Sequence, residues 1–278
     1  MSSQDEEPKF IYHFDSQNKR DILHDWRFRR IGKEKNIESF SKPQFQKARN
    51  GSSFKKLFKL LDEIAFRIND VELEGLPESS FHKTCLIICN TYGENEKTGL
   101  GIGPMSDAYM LALHHHNQGY KVFYLYDPTK AAFLEAISFF LQKVRKALTI
   151  FYAGRGQVFK NKQQNTKTNA FVFIDSNVDE HELTAKMAEN INQNCKVVLI
   201  ADCCHSSAAW NIKSDNKNNS NPFQNVISIS ATKCSDSEIS TGVQGLLSFY
   251  LATLLKQSPS IKPKELVEQI DPYLKRFN

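Results

Sequence analysis

Lys196-Val-Val-Leu-Ile-Ala-Asp-Cys-Cys-His-Ser206 decides how this chain reads. Its first part is apolar and rich in β-branched residues, the pattern of a strand buried on both faces of a parallel sheet. Ligands of open α/β sheets bind beyond the carboxyl ends of such strands, and Cys204 falls there. A second stretch, Ala147-Leu-Thr-Ile-Phe-Tyr-Ala-Gly-Arg-Gly156, is again a strand, ending in a tight glycine turn that carries Arg155. An isolated cysteine is by default a buried structural residue. A thiol on a strand tip followed by His-Ser-Ser, with a second strand tip before it in the chain, reads instead as a nucleophile on a turn where backbone N–H groups converge.

Outward from these two tips the pattern alternates. Cys85–Asn90 predicts a first strand, Gly99–Pro104 a loop, and Ser106–Asn117 a helix that Ser106 could cap. Lys121–Tyr126 is a strand, Lys130–Arg145 a helix opened by Pro128 and Thr129, and Asn169–Asp175 a further strand. Asp179–Asn190 is a helix, Asn225–Ser230 a strand, and Leu246–Lys256 and Lys264–Leu274 close the chain as helices. Such alternation predicts an α/β fold, a mainly parallel sheet with helices on both faces, over residues 83–278. Residues 211–222 have almost no core-forming side chains and read as a flexible loop. Residues 1–80 read as a basic N-terminal arm. Within it Phe54, Leu57, Phe58, Leu61, Ile64, Ala65 and Ile68 recur at helical spacing, predicting an amphipathic helix over 53–69.

Bulk properties narrow the class. The chain has 278 residues with 40% hydrophobic and 24% charged content, enough for one good core and unlike a disordered chain. No apolar run reaches the roughly 18 residues that span a bilayer. The start lacks the basic end and apolar middle of a secretory signal, so a cytoplasmic protein is expected. None of the six cysteines forms a CxxC pair, and the histidines have no zinc-finger spacing. Residues 19–60 carry 13 Lys/Arg against 4 Asp/Glu, a local charge of +9 within a net +5, leaving the rest at −4. A basic arm on a slightly acidic body suits an anionic partner or an acidic face of its own domain. Nucleic-acid binding has no recognised motif to support it.

Two other patterns carry less. Gly99, Gly101 and Gly103 with Asp127 resemble a dinucleotide fingerprint, but Pro104 breaks it and a long loop separates strand from glycines. His114-His115-His116 cannot chelate one ion together, because consecutive helical residues point about 100° apart.

At the two strand tips the chain resembles the metacaspase-like cysteine peptidases, relatives of the caspases. The resemblance runs from about Lys83 to the C-terminus. Besides Asp202-Cys-Cys-His-Ser206 it rests on Leu100–Ala108 with its Ser-Asp-Ala, on Gly119-Tyr-Lys-Val122, and on Thr149-Ile-Phe-Tyr-Ala-Gly-Arg-Gly156. Val226-Ile-Ser-Ile-Ser-Ala231 and Gly245-Leu-Leu-Ser-Phe-Tyr-Leu251 match the late half of the family. Cys204 lies 204 − 155 = 49 positions after Arg155, close to the His-to-Cys gap of about 50 in caspases.

The resemblance implies a Cys nucleophile and a His partner that cut peptide bonds, in metacaspases after Arg or Lys. It puts Cys204 at the nucleophile, the backbone N–H groups of Cys204 and Gly156 at the oxyanion hole, and Asp202 and Asp107 in an acidic pocket for the basic side chain. Paired carboxylates suit a desolvated cation. Each Asp also has a plainer reading: Asp202 as a turn cap, Asp107 as a helix N-terminal charge. Expected partners are peptide or protein segments with exposed Arg or Lys. No cofactor is required, and calcium is the one candidate. Asp175, Asp179 and Glu180 are the acidic residues in the family's calcium region, where Asn211 stands at a position expected to be Asp.

The chain departs from the family at Arg155, which occupies the histidine's place, and also at Ala153 and Ser207. Arginine keeps its proton, so it can neither take nor give one. It can lower the pKa of a neighbouring thiol. Loss of general acid–base help costs roughly 10²–10⁴-fold. The resulting expectation is a pseudopeptidase that still accepts Arg/Lys-containing segments. The alternative is an active Arg/Lys-directed endopeptidase with a substitute base, for which Lys213 and Lys217 would be self-processing sites.

Overall fold

The computed structural model describes residues 52–93, 99–161, 166–203, 210, 212 and 221–230, together with helical positions 247, 248, 250, 251, 254, 265 and 268–270. The elements are α1 (Ser52–Asp62), β1 (Phe66–Arg67), β2 (Lys83–Cys89), α2 (Gly103–Asn117), β3 (Lys121–Tyr126), α3 (Lys130–Lys143), β4 (Ala147–Ala153), β5 (Gly156–Asn161), β6 (Thr166–Val172), β7 (Asn177–Asp179), α4 (Glu180–Asn190), β8 (Lys196–Asp202) and β9 (Val226–Ser230).

Six strands form a parallel sheet in the order β1-β3-β2-β4-β8-β9. The α/β class and mainly parallel sheet are as the alternation predicts. The central strands are apolar throughout because both faces are covered. Cys85, Ile87, Cys89, Phe151, Ala153, Val198 and Ile200 pack with α1 and α2 residues such as Leu61, Met105 and Ala108. Leu86, Ile88, Ile150, Tyr152, Leu199 and Ala201 pack with Phe133, Phe140 and Leu183 of α3 and α4. This is the two-residue alternation of a strand resolved into two cores. The chain leaves β2 toward β3 through α2 and then returns across β2 to β4 through α3. The strand order therefore reverses between β2 and β4, the place where such sheets open a crevice at their carboxyl ends.

Several local expectations are corrected. The amphipathic helix ends at Asp62, not residue 69, and Phe66–Arg67 continue as a short edge strand on β3. Asn69 enforces this ending by exchanging two hydrogen bonds with the Tyr126 backbone. Leu57 and Leu61 are buried while Lys55, Lys56 and Lys59 face solvent. Helix α2 begins at Gly103, because Pro104 presets the helical φ of its first turn. Ser106 is accordingly inside the helix and does not cap it. The strand expected at 169–175 is β6, and it lies outside the parallel sheet. It pairs antiparallel with β5 and β7 in a separate three-stranded sheet. Thr129 caps α3 through Ala132 N, and Asp179 caps α4 through the N–H groups of His181 and Glu182. Most of the loop read at 211–222 lies outside the described residues.

Candidate functional site at the carboxyl edge of the sheet

Cys89, Ala153 and Asp202 stand side by side as the last paired positions of β2, β4 and β8. Arg155 is two residues past Ala153, and Cys204 is two residues past Asp202 in sequence. The two tips that the sequence singles out thus belong to neighbouring strands in register. Cys204 itself lies outside the described residues.

The Arg155 turn is held by its backbone. Its N–H donates to the Tyr92 hydroxyl at 2.8 Å, and its carbonyl accepts from Tyr152 Oη at 2.9 Å and from Val172 N at 3.0 Å. The Arg155–Val172 bond makes Gly156 and Phe171 a non-hydrogen-bonded pair in the β5–β6 ladder. The Gly156 N–H consequently points away from β6, toward the open side of β5. Gly154 leaves the room this arrangement needs. A Cβ there would stand 2.9 Å from each tyrosine hydroxyl and 3.0 Å from Asn90 Cβ.

Asp107 is buried in α2. Its charge reaches Cys89, whose thiol is raised well above its usual range by burial and by the charges of Asp127 and Asp107. Asp202 shares the Cys89–Ala153 face by strand alternation, with Cys89 at the end of β2 and Asp202 at the end of β8. Those two strands are roughly 10 Å apart, two inter-strand spacings. Asp202 also accepts the Ser248 N–H at 2.6 Å, from the late helix. Burial raises its carboxyl above the ordinary value, and the Ser248 and Leu247 hydrogen bonds oppose that rise. Asp202 is therefore tied to the backbone of the late helix.

Asp175, Asp179 and Glu180 are each engaged with the protein. Asp175 accepts Lys130 N, Asp179 caps α4, and Glu180 accepts from Asn169 Nδ2. Among the described residues no group of three or more His, Cys, Asp or Glu is placed to hold a metal ion. The described cysteines are buried, and Cys85, Cys89 and Cys195 are free thiols. Burial pushes the Cys195 thiol up to about 12 and Cys85 well above its usual range.

Sequence reading missed Asn90, Tyr92, Tyr152 and the true role of Asp127. Asn90 is fully buried at the β2–β4 crevice, and among the described residues neither atom of its carboxamide has a hydrogen-bond partner. Such an orphan costs about 1–3 kcal/mol per group, a cost proteins tolerate mainly at working sites. Asp127 serves the backbone. Its carboxylate accepts the N–H groups of Thr91, Tyr92 and Gly93, fixing the loop after β2. A groove of about 850 Å³ lies elsewhere, against β1 and the amino end of β3 beside Phe66, Val71 and Leu76. It has no thiol and lies off the carboxyl edge.

A mainly parallel α/β sheet whose β8 ends at Asp202, directly before Cys203-Cys204-His205 in the sequence, fits a domain of the cysteine-peptidase class. Residues 82–269 match the family model of the caspase domain, and the chain belongs to that family. Proteins and peptides are accordingly the substrate class of this fold. No curated protein matches the chain. The crystal structure of protein GSU0716 from Geobacter sulfurreducens is similar, with a TM-score of 0.50 and 16% identity over 67% of this chain and 89% of that one. At that identity it speaks for the fold alone.

Proposed function

We propose that this chain is a metacaspase-like pseudopeptidase that binds protein segments through exposed Arg or Lys and has lost efficient peptide hydrolysis. The position of Arg155 carries this reading: it leaves β4 two residues past the partner of Asp202, and Cys204 leaves β8 by the same two residues. A guanidinium at that point stabilises a thiolate but cannot carry a proton. Attack on an amide would form a C–S bond and an oxyanion facing the Gly156 and Cys204 N–H groups. Collapse would then stall, since the departing amine needs a proton that Arg155 cannot deliver.

Asp107 and Asp202 supply the substrate cation's acceptors in this reading. A carboxylate has about four lone-pair sites, so Asp202 can serve the Ser248 N–H and a guanidinium together. A cytoplasmic setting fits the free thiols of Cys85, Cys89 and Cys195. Fluorogenic peptides ending in Arg or Lys, with and without calcium, test the proposal. It predicts binding that weakens in Asp107→Asn and Asp202→Asn, with no Cys204-dependent turnover. Turnover that disappears in Cys204→Ala would instead establish the active Arg/Lys endopeptidase.

A further inference from the structure

The strand-tip turn that presents Arg155 is fastened by groups that no catalytic role accounts for. Asp127, directly after β3, takes up a left-handed backbone (φ 43°) and donates its own N–H to Cys89 O at 2.9 Å. Its Oδ1 accepts Thr91 N at 2.5 Å and Tyr92 N at 2.8 Å. Its Oδ2 accepts Gly93 N at 3.1 Å and Thr91 Oγ1 at 2.8 Å. This cradle holds Tyr92 at φ 55°, a conformation an aromatic residue rarely adopts unaided.

That conformation sends the Tyr92 side chain across the tip of β4. Its hydroxyl receives the Arg155 N–H and donates to Val172 O, each at 2.8 Å, and lies 3.3 Å from Tyr152 Oη. Tyr152 Oη reaches Arg155 O. Both backbone polar groups of Arg155 are thus tied to buried phenols, and Gly154 provides their space. Burial raises both hydroxyls far above the usual range, so they remain protonated hydrogen-bonding groups throughout the working pH range.

We infer that Tyr92, with Tyr152 beside it and Asp127 holding it, is a positioning residue that fixes the Arg155–Gly156 turn at the tip of β4. The inference rests on the proposed placement of Arg155 beside the Cys204 thiolate. A cation's effect on a thiol falls with distance, so a turn released from its two hydroxyl anchors stabilises the thiolate less. The other charged groups assigned to this edge, Asp202 and Asp107, are anionic and act in the opposite direction on the thiol.

The test is peptide-resolved alkylation of Cys204 by iodoacetamide as a function of pH, on the full chain. Arg155→Gln should move the midpoint upward by about one pH unit. Tyr92→Phe and Asp127→Asn should move it in the same direction by about half as much, with Tyr152→Phe as a second variant should either fold poorly. Tyr124→Phe is the control, since that buried phenol bonds Asp62 at the far edge of the sheet. It should leave the midpoint unchanged. A shift in Arg155→Gln with none in Tyr92→Phe or Tyr152→Phe overturns the positioning role and leaves the proposed function standing. An equal shift in Tyr124→Phe also overturns it, reducing the effect to general loosening. No shift in Arg155→Gln overturns the placement of Arg155 and with it both readings.

Discussion

Gly154→Ala adds a single methyl group where the structure has no room. The new Cβ would stand 2.9 Å from Tyr152 Oη, 2.9 Å from Tyr92 Oη and 3.0 Å from Asn90 Cβ. The hydroxyls are buried and hydrogen-bonded, and Asn90 is tied to β4 through Ala153 O, so none of the three yields freely. Overpacking of this kind costs about 1–3 kcal/mol. Pushing Tyr92 off the Arg155 N–H leaves that donor unpaired, about 1–3 kcal/mol more. The φ of Gly154 is not positive, so alanine meets no backbone strain and gains about 0.4–1 kcal/mol from a less mobile unfolded chain. The net expectation is a loss of about 1–5 kcal/mol. Urea titration at pH 7 measures it. In a Tyr152→Phe background one obstructing oxygen is gone, and the same substitution should cost at least about 1 kcal/mol less. A variant as stable as the parent, or an identical cost in both backgrounds, would refute the crowding at this turn.

Acid should weaken the fold through His115, which burial holds down at about 4 against 6.5 in the unfolded chain. The neutral ring is favoured in the fold, so its contribution is intact above pH 6.5 and is lost as pH falls toward 4. At pH 5 that amounts to about 2 kcal/mol, and His115→Asn should flatten this part of the urea-midpoint profile. Asn90→Leu breaks no hydrogen bond at a fully buried site, so its melting temperature should equal or exceed that of the parent. A drop would mean that the carboxamide has a partner the reasoning omits. Asp179→Ala removes a cap that accepts two N–H groups and should cost about 1 kcal/mol by the same titration. Calcium should not raise the melting temperature, because Asp175, Asp179 and Glu180 are already spent on protein donors.

The parallel sheet was legible because β2, β4 and β8 are unbroken apolar runs, and both strand tips followed from where those runs end. Thr129 and Asp179 announced their helices by the residue type that accepts N–H groups. The β5–β6–β7 sheet was not legible, since Gly156–Phe159 is partly exposed and none of its residues is buried. Nor was the end of α1, where apolar Ile64 and Ile68 continue a helical period although the chain has turned into an edge strand. At the site, Arg155 and Asp202 could be read locally. Tyr92 and Asp127 could not, because their roles depend on hydrogen bonds between residues 34 to 80 positions apart.

One measurement separates proton delivery from every other step: the reaction of an Arg-ending p-nitrophenyl ester compared with the matching peptide amide. Nitrophenolate departs without a proton, so a thiolate beside Arg155 should release it in a burst equal to the enzyme concentration. The acyl group should then remain on Cys204, since no base activates water, and the amide should not be cleaved. That burst, absent in Cys204→Ala, is the predicted result. Sustained Cys204-dependent cleavage of the amide would contradict it, because a proton donor would then have to exist where Arg155 stands.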